Sequence, residues 1–152
     1  MPELRYTDVE DYRRHIGSET FSRLIFDDRT FVSYDDAPAD PFATDGWRKA
    51  AYALLEAEQD VEDLLSARYE VPFNDLPQHV KGRLFDLAVA KLYDRRGKMP
   101  SGVRQSKESA EDWLLGVAEG NVDLNLTKSE GQQNINTIAS GRRSQSFMSN
   151  LP

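Results

Sequence analysis

Apolar positions recur with a helical period through most of the chain, and no strand-like alternation of useful length interrupts them. Thr7-Asp8-Val9-Glu10 has the form of a capping box, with the Thr7 hydroxyl on the third helical amide and Glu10 reaching back. The helix it opens is expected to end at Gly17, and Ser18-Glu19 to open a second through about Phe26. Residues 27–46 hold Pro38, Pro41 and Gly46 without a period, which predicts a loop. From Trp47 to about Tyr69, one stripe carries Trp47, Ala51, Leu54, Val61 and Leu65, with Ala50, Ala57 and Leu64 beside it. That stripe predicts a helix of about six turns with one buried face. Glu70 to Pro77 breaks it, because proline removes a backbone donor and disfavours helix just before itself. Pro77 suits the first turn of a fourth helix, which carries Val80, Leu84, Leu87, Ala88, Leu92 and Tyr93 and stops near Gly97. Residues 98–105 read as a loop, and Ser106 as the cap of a last helix with Ala110, Trp113, Leu114 and Val117, stopping at Gly120. The expected fold is all-α: a small bundle of four to five helices with a long extended C-terminal tail.

Composition adds the tail. The chain has 152 residues, enough for one domain with a real core. No run of about 18 apolar residues predicts a membrane span, and the first residues lack the apolar stretch of a signal peptide. Net charge is −7, but unevenly placed. Residues 1–120 hold 16 basic and 24 acidic side chains, a net −8, and residues 121–152 hold three and two, a net +1. All six Tyr and both Trp lie in the first part, while the second is rich in Asn, Ser, Gln and Gly. The division is therefore a helical domain over 1–120, with an acidic loop at 27–46, and a docking tail over 121–152. A tail of that composition cannot bury enough apolar surface to fold alone. It is expected to gain structure on neighbouring chains, the simpler alternative being a hairpin back onto its own body.

Chemical motifs mostly fail. Cysteine is absent, which removes disulfides, thiolate metal sites and a Cys nucleophile. His15 and His79 stand on different helices, in no zinc or triad pattern, and read as ordinary surface or boundary residues. No glycine-rich phosphate loop is present. Asp27, Asp28, Asp35, Asp36, Asp40 and Asp45 crowd one loop, yet an EF-hand register fails from Asp35, where the next ligand positions are Ala37 and Ala39, and from Asp40, where they are Phe42 and Thr44. Turn-forming, solvated Asp residues are the plainer reading. Glu62-Asp63 and Glu111-Asp112 fall on polar helix faces, and Arg13-Arg14 and Arg95-Arg96 at helix ends suit the helix dipole and salt bridges. Arg142-Arg143 is different, because no fold needs it. Beside Phe147, Met148 and Leu151 it has the form of a short docking element for an acidic, grooved partner.

Four blocks in order resemble one family. Val-Glu-Asp-Leu-Leu-Ser-Ala-Arg-Tyr-Glu-Val-Pro-Phe (61–73) is similar to the E-I-D-x-Y-L-x-x-R-Y-x-L-P-F signature of the Mu-like phage neck, or head–tail connector (adaptor), proteins. Residues 76–80 with 86–96 resemble its next block, residues 111–124 its last helix and the turn after it, and residues 6–12 its first helix. The resemblance spans most of 5–126. Where many members carry a short D-x-D-x-D-G loop, this chain has the longer Asp27–Gly46 loop, so no ion is carried over to it.

The resemblance implies a structural virion protein without catalysis or cofactor. It implies a homo-oligomeric ring, a dodecamer by the portal's symmetry, in the neck of a particle assembled in the host cytoplasm. The portal protein would lie above and a stopper or tail-completion protein below. DNA would pass through the lumen without specific binding, past acidic walls that repel phosphates, and no membrane would be involved. Tail residues Ile135, Ile138, Phe147, Met148 and Leu151 would fill portal crevices, and Arg142 and Arg143 would pair with carboxylates. Two other classes stand beside this one: a helical DNA-binding or regulatory protein, and a metal-dependent enzyme using Asp35, Asp36 and Asp40. Neither has a motif behind it.

Overall fold

A computed structural model describes residues 2–26, 37–124, 126 and 128. It holds five α-helices: α1 (Val9–Ile16), α2 (Ser18–Ile25), α3 (Trp47–Leu65), α4 (Gln78–Arg95) and α5 (Ser101–Ala118), with a 3-10 turn at Pro41–Ala43. No strand occurs among the described residues; the sole β-type contact there is an isolated antiparallel bridge between Tyr69 and Lys128. The all-α bundle expected from the sequence is what forms. Helices α3, α4 and α5 make an up–down–up core, and α1 and α2 close it by packing on α3 and α4. Leu54, Val61 and Leu65 meet Val80, Leu84 and Leu92, with Ala110, Leu114 and Val117 from α5 completing the layer. Aromatic rings seal the α1–α2 side: Tyr12 lies 5.9 Å from Phe21 and 5.8 Å from Phe85, and Phe21 lies 5.3 Å from Trp47.

Helix ends follow local chemistry, with three departures from expectation. The N-cap of α1 is Asp8 rather than Thr7, its carboxylate accepting from the Glu10 amide at 2.7 Å. Thr7 is drawn away because its hydroxyl donates to Glu58 instead, at 2.6 Å. Helix α3 stops at Leu65, with only single turns continuing to Tyr69. Helix α5 begins at Ser101, not after Ser106. Pro100 (φ −58°, ψ 150°) sets the entry, and its carbonyl accepts from Arg104, so the helix nucleates at the proline.

Among the described residues after α5, 121–124, 126 and 128 pack on the body rather than leaving it. Leu124 is buried, and Val122 and Leu126 lie against the core.

Candidate functional site

Two polar clusters at one end of the bundle fix how the chain enters and leaves it. The first centres on Glu58, a carboxylate on the apolar stripe of α3 and only 3% exposed. It accepts the amides of Arg5, Tyr6 and Thr7 at 2.9, 3.0 and 2.9 Å, and the Thr7 hydroxyl. One turn later, Glu62 accepts from the Tyr6 hydroxyl and, at 3.2 Å, from Arg5. The Tyr6 oxygen in turn accepts the Phe73 amide at 3.0 Å. Burial first, and then the bond to Glu62, raise the Tyr6 hydroxyl above its ordinary pKa. Residues 5–7 and the 70–76 loop are thereby strapped to α3. Glu62 is thus a half-buried bonding partner, not the solvated face expected for the Glu62-Asp63 pair; Asp63, Glu111 and Asp112 are exposed as expected.

The second cluster holds the start of the C-terminal segment. The Tyr69 hydroxyl accepts the Leu124 amide at 2.8 Å and donates to Asp123 at 3.2 Å. Arg68 reaches Asp123 at 3.6 Å and Lys128 reaches it at 3.3 Å. Desolvation pulls the Asp123 carboxyl upward, but Lys128, Tyr69 and Arg68 together outweigh it and hold the group below its ordinary pKa. Gly120 has φ +89°, where a side chain would be strained, and a Cβ there would displace the Arg68 guanidinium, so the turn out of α5 favours glycine. Sequence reading missed this cluster and Glu58. The signal for Glu58 was present: it stands four residues after Leu54 and three before Val61, a carboxylate on a buried stripe.

Other sequence candidates resolve plainly. The His15 ring nitrogen lies 2.9 Å from Asp86 and its ring is tilted against Phe85 at 5.3 Å, while His79 sits edge-on to Trp113 at 5.4 Å. Of the basic pairs, Arg13 pairs with Glu10 and Arg14 with Asp11 at 3.4 Å, as helix-end supports do, whereas Arg96 donates to the Arg23 carbonyl of α2 and Arg95 forms no ion pair among the described residues. In the acidic loop, Asp40 caps the 3-10 turn through its carbonyl, and Asp45 pairs with Arg48 at 3.3 Å. Asp27, Asp28, Asp35 and Asp36 lie outside the described residues, and among those described no group of three acidic or histidine side chains is placed to hold a metal. The tail residues Ile135, Ile138, Arg142, Arg143, Phe147, Met148 and Leu151 also lie outside the described residues.

A groove of about 750 Å³ opens at the other end of the bundle, between the end of α2, the first half of α3 and the end of α4. Its walls carry Arg48, Lys49, Lys91 and Arg95 against Asp45 and Glu56, with the half-exposed Tyr52 ring among them. No helix is long and apolar enough to cross a membrane among the described residues.

No curated protein and no solved structure matches the chain. A family model does. The match covers residues 6–140, which include all five helices, both polar clusters except Arg5, and Ile135 and Ile138, and stop short of Arg142, Arg143, Phe147, Met148 and Leu151. The family is described as Bacteriophage Mu, Gp36, and the chain belongs to it.

Proposed function

We propose that the protein is a head–tail adaptor of a phage particle, a structural element of the neck without catalytic activity. Copies close a ring between the portal and the next neck protein, and the C-terminal segment beyond Lys128 docks on the portal. The observation that carries this reading is the anchor at Tyr69, Arg68, Asp123 and Lys128. A segment that served only solubility would need no such fixed departure point. Here the chain is clamped to the body just before a stretch whose composition cannot fold alone.

The physics suits assembly. An undocked segment keeps its conformational entropy, and ordering costs it only when the portal supplies a surface. Identical segments on every copy act together, so weak individual docking gives strong collective attachment. Ile135, Ile138, Phe147, Met148 and Leu151 supply apolar contacts, and Arg142 and Arg143 pair with carboxylates.

Deleting residues 129–152 tests this directly, because it leaves the anchor intact. The truncated protein is expected to fold, with an unchanged helical spectrum, and to be missing from portal-containing particles. Incorporation at the full-length level would remove the docking role of the segment.

A further inference from the structure

Charge is segregated along the bundle. Because α3, α4 and α5 run antiparallel in turn, the start of α3 and the end of α4 share one end. That end carries Arg23, Arg48, Lys91, Arg95, Arg96 and Lys98, of which Arg23 pairs with Glu19, Arg48 with Asp45 and Lys91 with Asp60, and the groove described above opens there. Arg95 has no ion-pair partner among the described residues. The opposite end, where both polar clusters sit, presents the 70–75 loop. Its backbone is held by the Phe73 amide on Tyr6 and by the buried side chains of Phe73 and Leu76. Val71 projects from it, 39% exposed, between Glu70, which is exposed, and Asp75, whose side chain is 85% exposed and pairs loosely with Lys81 at 3.6 Å. The loop is therefore a rigid knob with an apolar tip and flanking carboxylates. Tyr52, also 39% exposed and packed edge-on against Phe42 at 5.0 Å, is its counterpart inside the groove.

We infer that the Glu70–Asp75 knob of one copy seats in the Arg48–Tyr52–Arg95 groove of the next, with Val71 against the Tyr52 ring. This rests on the ring reading and names its contact. A knob at one end and a groove at the other form a heterologous pair, the kind that repeats from copy to copy and closes into a ring when the rotation allows. Duplex DNA fits the groove less well. The site is concave, its walls include the Asp45 and Glu56 carboxylates and the Tyr52 ring, and the protein as a whole carries −7. A carboxylate-flanked apolar tip matches both its charge and its apolar floor.

The absence of cysteine makes the test clean. Tyr52→Cys and Val71→Cys are introduced singly and together, and the purified protein is oxidised. Within one chain the 13 residues from Tyr52 to Leu65 already span about 20 Å of helix, far beyond disulfide reach. The double variant is expected to give a ladder of covalent multimers, and each single variant at most a dimer. Arg95→Glu should abolish the ladder, and adding Glu70→Arg should restore it. Multimers of wild-type protein in sedimentation, without a ladder from the double variant, overturn this contact and leave the ring reading intact. A protein that is monomeric throughout and gives no ladder counts against both. A groove that retards on duplex DNA through Arg95, with no ladder, assigns it to nucleic acid instead.

Discussion

Glu58 is the residue on which most of the N-terminal geometry depends. A carboxylate buried to 3% exposure is tolerated because four donors face it, three of them backbone amides that have no other role there. Removing it strands those amides rather than merely losing one contact, and stranded buried donors cost more than an average hydrogen bond contributes. Glu58→Leu is therefore expected to lower stability by about 3 kcal/mol. Glu58→Gln keeps one oxygen but turns a donor toward donors, and should fall between. Urea unfolding followed by tryptophan fluorescence checks both, and a Leu variant as stable as wild type would mean the strap does not hold the N-terminal segment.

At the level of elements, helix period and punctuation carried the reading furthest. The stripe from Trp47 to Leu65 became α3 because alanines and leucines recur every three to four residues and nothing breaks the run. Gly17 was legible as the stop between α1 and α2, and it takes φ +100° there. The start of α5 was not legible, because Ser106 is a good cap by composition while Pro100 sets the backbone by geometry. In the structure Ser106 is an exposed interior residue of the helix, so Ser106→Ala should leave thermal stability within about 0.5 kcal/mol of wild type. A loss of about 1 kcal/mol or more, the cost of a deleted cap, would place the helix start where the residue pattern put it. The two clusters were illegible for a different reason. Tyr69 and Asp123 are 54 positions apart, and Tyr6 and Glu62 are 56, so no local pattern joins them. What the sequence did contain was a single misfit, the carboxylate at 58 on an apolar stripe. The family blocks around Arg68-Tyr69 and Asp123-Leu124 marked both halves of the anchor without showing that they touch.

At the scale of the whole molecule, both polar clusters lie at one end of the bundle and the cationic groove at the other, so entry and exit of the chain share a face that the groove does not. The same arrangement has a consequence for the helices themselves. A helix favours acidic residues in its first turn and basic ones in its last. Neither α3 nor α5 has any acidic residue in the first or basic residue in the last. Instead α3 starts with Arg48 and Lys49 and ends with Glu62 and Asp63, so its side chains run against its own dipole. Reversing two exposed positions, Arg48→Glu with Asp63→Lys, gives up the Arg48 pair with Asp45 and its bond to the Phe42 carbonyl, and should still raise the melting stability of the isolated chain by about 0.5 kcal/mol. It should also weaken association between copies, read by sedimentation at low salt. A variant that gains stability and still associates as wild type would separate the two properties. The expected outcome is a trade, with stability of the lone chain gained and association between copies lost.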